Sequence, residues 1–184
     1  MSPLLASGEK AATIDGSVAS MFECDILRAI QRLAECLHEW TPRHSAKLHR
    51  LVEYVNNTLS MKQYGFIGDP FSELELSLFV DADWASDKQD NMSTSGAYLV
   101  LTGKHSFFPL AALCKKQGAQ SLSTPEAELV ALTVAMTKLT YPLLDLVEHV
   151  LARNKVVPVA WEDNESTQKI LKSGKVMRAM GHVG

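Results

Sequence analysis

The sequence predicts an α/β fold built on a mixed sheet, and three observations carry that expectation. Leu76, Leu78 and Val80 alternate with Glu75, Ser77, Phe79 and Asp81, the period-two pattern of a half-buried strand. Two more strand-like segments follow across short turns. A strongly capped helix then leads into a short apolar segment and a last helix. Strands in series followed by a helical crossover predict three antiparallel strands, a helix, a fourth strand parallel to the first, and a closing helix.

Each element has its own local signals. Residues 1 to 20 are small, polar and aperiodic, and are expected to form a flexible leader. From about Asp25 to Trp40, Ile26, Ala29, Ile30, Leu33, Ala34 and Leu37 recur at helical spacing. Thr41 as N-cap and Pro42 at the first position announce a second helix, with Leu48, Leu51, Val52, Val55 and Leu59 as its apolar stripe. Arg43, Lys47 and Arg50 share another face, which is either a solvated surface or a track for phosphates. Gly65 to Pro70 makes a break, so residues 21–70 form a helical appendage and 71–184 the sheet domain.

After the first strand, a polar stretch through Asp90 and Asn91 leads to a second near Ser95 to Leu101. The turn Thr102-Gly103-Lys104 leads to a third, Ser106 to Lys115. Pro109 cannot donate to a ladder, which assigns that third strand to a sheet edge. Ser123-Thr124-Pro125-Glu126 combines a capping hydroxyl, a first-turn proline and an early acid, so a long helical region should run to about Leu151, bent or broken near Pro142. Val156 to Trp161 is expected as a short, largely buried strand, and Asn164 to Leu171 as a helix stopped by Gly174.

Composition narrows the function classes. At 184 residues, 46% hydrophobic and 21% charged, the chain suits one globular domain plus an appendage. Cys24, Cys36 and Cys114 are odd in number and widely spaced, which argues against a disulfide framework or zinc knuckle and for a reducing compartment. The longest apolar run, Leu129 to Met136, is interrupted by Thr133 and falls far short of the roughly 20 residues of a membrane span. An intracellular protein without a membrane partner is expected. A net charge of −3 means that any nucleic acid must be held by local basic patches or by metal ions between carboxylates and phosphates.

Four acids stand at element termini that this topology brings together: Asp81 and Asp83 on the first strand, Glu128 one turn into the long helix, and Asp163 after the fourth strand. An acid at a strand end ordinarily serves loop solubility, and Asp163 could simply be an N-cap. Glu128 is harder to explain that way. It shares a mostly apolar stripe with Leu132, Ala135 and Leu139, where a charge must be paired or bind metal, while Glu126 is better placed for the helix dipole. Hard divalent cations take oxygen ligands, and two of them about 3.5–4 Å apart need a bridging carboxylate with others around it.

The strings Val80-Asp81-Ala82-Asp83-Trp84-Ala85, Ser93-Thr94-Ser95-Gly96, Cys114-Lys115-Lys116-Gln117, Ser123-Thr124-Pro125-Glu126-Ala127-Glu128-Leu129 and Glu162-Asp163-Asn164-Glu165-Ser166 occur in that order. Together they resemble the ribonuclease H region of copia-type retrotransposon Pol polyproteins. The resemblance runs from about Asp25 to the C-terminus, since Trp40-Thr41-Pro42 and the next helix look like the segment connecting reverse transcriptase to ribonuclease H. It implies a ribonuclease H-like mixed sheet and cleavage of the RNA strand of an RNA/DNA hybrid with two Mg2+ ions, or Mn2+ in their place. Asp81 would bridge both ions, Glu128 and Asp163 would ligate the ion on the leaving-group side, and Asp83 would stand behind them. Ser93, Thr94, Ser95, Lys115, Lys116 and Gln117 would touch the hybrid backbone, although for the hydroxyls turn stabilisation, and for the lysines a solvated strand end, is an equal explanation. Partners would be the hybrid and the reverse transcriptase portion of the same polyprotein, in the cytoplasm, the nucleus or a retrotransposon particle.

The chain departs from the family pattern at its end. Ribonucleases H generally add a fourth acid from a last strand or helix; here no acid follows Glu165, and the sequence ends at Gly181-His182-Val183-Gly184. A C-terminally truncated domain is therefore expected, with its fourth strand as an edge, and with His182 only a weak substitute ligand. Two competing readings follow. One is a non-catalytic nucleic-acid-binding remnant; the other is a glycosyltransferase holding a nucleotide sugar through Asp81-Ala82-Asp83, which would need a nucleotide-binding strand and helix before the motif.

Overall fold

The computed structural model of the protein describes residues 24–87, 90–152 and 155–174. The leader over residues 1–20 and the terminal residues 181–184, His182 among them, lie outside these. The chain forms two compact units, Met1–Met61 and Lys62–Gly184. The division falls earlier than the break after residue 70 that the sequence suggests.

The first unit is a helical pair. A short turn at Cys24–Ile26 enters α1, Leu27–Glu35, and Trp40 leads into α2, Pro42–Thr58. Thr41 caps α2 as expected, with His44 in the place of the usual acid: the Thr41 N–H donates to His44 Nδ1 at 3.2 Å. Trp40 Nε1 donates to Ser45 Oγ at 2.9 Å, fixing the entry. Ile26 and Ile30 face Leu48, Leu51, Val52 and Val55 across an apolar cleft, and the Tyr54 hydroxyl donates to Asp25. Arg43, Lys47 and Arg50 are all exposed.

The second unit is a four-stranded mixed sheet in the order β3-β2-β1-β4. Here β1 is Glu75–Asp83, β2 Thr94–Gly103, β3 Ser106–Lys116 and β4 Val159–Trp161. β1 and β2 are antiparallel, as are β2 and β3, whereas β4 runs parallel to β1. Leu76, Leu78, Val80 and Ala82 point to one face, with Ala97, Leu99 and Leu101 of β2 beside them. That face is covered by α3, Thr124–Ala135, through Ala127, Ala131 and Ala135; Leu139 and, from α4 (Tyr141–Val150), Val147 join the same core. Small residues on α3 let it approach the sheet closely.

β3 is an edge strand, and the register slips between Leu99 and Val100, where Ala111 and Pro109 are successive partners. Segment 62–70 belongs to this edge. Phe66 exchanges two backbone hydrogen bonds of 2.9 Å with Phe107, while Asp69 accepts from the His105 N–H at 2.7 Å and the Ser106 hydroxyl at 2.6 Å. An otherwise open edge is thereby partly closed.

Two expectations need correction. β4 is three residues long and exposed throughout, not largely buried, because it has a single strand neighbour. Pro142 does not break the helix. A π-helical turn, Met136–Thr140, joins α3 to α4: the Tyr141 N–H reaches the Met136 carbonyl five residues back, and the wider turn makes room for a residue that has no N–H and a bulky ring. The resulting continuous run Thr124–Val150 is long and apolar enough by composition to cross a membrane. A count of uninterrupted apolar residues does not reveal it. As support for a span it is weak, since a helix that covers a sheet has the same composition, and here the inward side of the run forms the core.

Candidate metal centre

The acids meet where β4 leaves β1. The last paired positions are Phe79 and Trp161, and their rings stack 6.1 Å apart. Continuing that register by two residues sets Asp163 opposite Asp81. Beyond Trp161 the backbone departs and the β1 edge at Asp81 and Ala82 opens. Glu128 enters there from the second turn of α3, and the Ala82 N–H donates to its carboxylate. One ligand oxygen from each of Asp81, Glu128 and Asp163 lies within 4.8 Å of the others.

Local chemistry holds each acid in position. Ser123 Oγ accepts the Glu126 N–H at 3.4 Å, and Glu126 reaches back to accept the Leu122 N–H at 2.8 Å. Glu126 thus serves the helix start, leaving Glu128 one turn in, 3% exposed among alanines. At α5, Glu165–Ser173, the cap is Asn164, whose Oδ1 accepts the Thr167 N–H at 3.0 Å. This removes the N-cap explanation for Asp163, which is exposed and turned to the cluster.

The electrostatics are unfavourable for an isolated anion. Glu128 Oε2 is buried without a hydrogen-bond partner. Burial first, then the charges of Glu162, Asp81 and Asp163, push the Glu128 carboxyl up to about 7. A hard cation relieves both problems by supplying the missing partner and offsetting the like charges. Asp81, Glu128 and Asp163 offer the oxygen donors that would suit such an ion.

The other residues expected at the site fare differently. Asp83 sits exposed at the end of β1, on the strand face of Asp81 but outside the close set. Ser93, Thr94, Ser95 and Gln117 are buried. Ser93 Oγ accepts the Ala85 N–H at 3.1 Å, holding the turn after β1 where Ala85 adopts φ 48°. Gln117 donates to Ser95 Oγ at 3.1 Å and to the Ala127 carbonyl at 2.9 Å, and accepts from Ser121 Oγ at 2.9 Å. These side chains tie β2 and β3 to the start of α3. Lys116 is held by Asp87 and Asp90, both at 2.7 Å, and so clamps the β1–β2 loop. Lys115 is exposed.

Sequence reasoning passes over Glu162. Its Oε2 is buried and unpartnered like that of Glu128, its Oε1 accepts the Asn164 N–H at 3.0 Å, and burial, then Asp163 and Asp81, raise its carboxyl. Strand parity is the available signal: alternation sets Glu162 on the side opposite Asp163, toward the helix that carries Glu128.

No protein-family model matches the chain, and no solved structure matches it. Curated relatives do. The chain is 36% identical over 104 residues to the retrovirus-related Pol polyprotein from transposon RE1 of Arabidopsis thaliana. It is 35% identical over 104 residues to the corresponding polyprotein from transposon RE2 of the same plant. Each match covers 56% of this chain and 7% of the polyprotein, so the protein is a homologue of one region of retrotransposon Pol polyproteins. More particularly, it belongs to the family of the secreted RxLR effector protein 161 of Plasmopara viticola, being 31% identical over 111 residues that cover 60% of this chain and 73% of that protein.

Proposed function

We propose that the sheet unit is a ribonuclease H-like domain that cleaves the RNA strand of an RNA/DNA hybrid. The observation that carries this reading is the trio Asp81, Glu128 and Asp163, converging within 4.8 Å around a buried carboxylate oxygen that has no partner. The strand order β3-β2-β1-β4 and the Pol relatives support it. Asp81, Glu128 and Asp163 would hold divalent cations, Mg2+ by preference for oxygen ligands. Such ions supply an activated water and stabilise the leaving oxygen of a phosphodiester.

The chain's own residues do the rest. Glu128, fixed by the Ala82 N–H, keeps one oxygen directed at the cluster. Asp81 stands on β1, and Asp163 follows two residues after the end of β4, the parallel neighbour of β1. Lys115, exposed at the end of β3, offers a charge to the hybrid backbone. Ser93 holds the turn after β1, and Ser95 and Gln117 tie β2 and the end of β3 to the start of α3.

The test is direct. Labelled RNA in a hybrid should be cut with Mg2+ or Mn2+ by the full chain, and Asp81→Asn should lower the rate by about a thousandfold or more. Full activity in that variant would overturn the assignment, and hybrid binding without cutting in the native protein would reassign the domain as a binding module.

A further inference from the structure

We propose that Glu162 is a fourth metal ligand of the cluster, the group that lets it hold two hard divalent cations instead of one. The inference rests on the ribonuclease H-like reading of the site and extends it to a residue outside the three converging acids.

Three observations converge. Glu162 Oε2 is buried without a partner, the same condition as Glu128 Oε2, and among the described residues these are the two carboxylate oxygens left so. Oε1 is fixed by the Asn164 N–H at 3.0 Å, and the Glu162 carbonyl accepts from Gln168 Nε2 at 2.6 Å. The residue is therefore anchored at the start of α5 and does not swing freely. Finally, Glu162 directly precedes Asp163 in the chain, and its charge acts on Glu128 together with those of Asp81 and Asp163.

A helix-start role accounts for Oε1 alone. An anion near a helix N-terminus is stabilised by backbone N–H groups, and the buried Oε2 accepts from none of them. Charge counting gives the same answer. Three carboxylates leave two dications with surplus positive charge, whereas a fourth balances them before any phosphate arrives.

The experiment is Mn2+ titration of the full chain, without nucleic acid, followed by calorimetry and by the electron paramagnetic resonance of free Mn2+. The native protein should bind two ions. Glu162→Gln keeps the shape and the Oε1 acceptor, and should bind one. Glu162→Asp, which retains the charge, should weaken the second ion by about tenfold without abolishing it. Circular dichroism of each variant should match the native spectrum. Equal stoichiometry and affinity in native protein and Glu162→Gln would overturn the role of Glu162 and leave the three-acid site intact. Absence of Mn2+ binding by the native protein would overturn the metal centre itself.

Discussion

Asp69 and Glu128 are both acids that join separate pieces of the sheet unit, and they are held in opposite ways. Asp69 lies between segment 62–70 and the β2–β3 turn, where the His105 N–H and the Ser106 hydroxyl both donate to it. The Ser106 hydrogen bond first, then that of His105, hold its carboxyl below the ordinary range. Glu128 lies between α3 and β1, with one backbone donor, one orphaned oxygen and three acids around it, and its carboxyl rises to about 7. The first is completed by the protein's own donors. The second has a buried oxygen that no donor among the described residues meets. The contrast separates a structural acid from a binding acid more sharply than exposure or position along the chain does.

Gln117 tests how far that contrast depends on charge. It is buried after the end of β3 and fully partnered, bonding Ser95, Ser121 and Ala127. Gln117→Ala leaves those groups unsatisfied and should cost about 2–3 kcal/mol in urea unfolding. Fluorescence of Trp84 and Trp161, both in the sheet unit, reports that transition. A loss well below 1 kcal/mol would mean water replaces the side chain and the tie is dispensable.

Glu128→Gln should have a sign that depends on metal. A carboxyl raised from 4.5 to about 7 contributes its stability fully below pH 4.5 and loses it as the pH climbs through 7. In EDTA the glutamine variant should match the native protein near pH 4.5 and exceed it by roughly 1–2 kcal/mol at pH 8. Mg2+ should reverse the order, because it stabilises only a protein that binds it. A variant less stable than native in EDTA at pH 8 would show that Glu128 is satisfied without an ion.

Much of the fold and part of the cluster are legible in the sequence because their signals are local. Alternation along Glu75–Asp83, the start at Ser123-Thr124-Pro125-Glu126 and the edge proline each follow from short-range chemistry, and the crossover rule supplies the parallel β4. Glu128 is conspicuous in the sequence itself, as a charge interrupting an apolar stripe. What escapes depends on long-range contacts or on single-residue offsets. The burial of Ser93, Ser95 and Gln117 is not legible, because nothing nearby in sequence reveals the contacts they make with Ala85 and Ala127 and with one another. The helix cap falls on Asn164 instead of Asp163, one residue on, and that offset frees Asp163 for the cluster. Glu162 is invisible because its burial arises only from the way the chain leaves β4.

Asp69→Asn should give the smallest effect and the cleanest opposite. A depressed carboxyl contributes stability that is present above its unfolded value near 3.8 and is lost as the pH falls through the lower folded value. The asparagine variant should therefore melt slightly below the native protein at pH 7, with the gap closing in acid below about pH 3.9, the ordinary aspartate range. Mg2+ should not change that gap, since Asp69 already has its donors and lies outside the close set of ligands. Hybrid cleavage should stay within about threefold of native, as for any substitution away from the reacting groups. If Mg2+ did alter the Asp69→Asn gap, the clasp and the cluster would be energetically coupled across the sheet, and the two acids would not be independent.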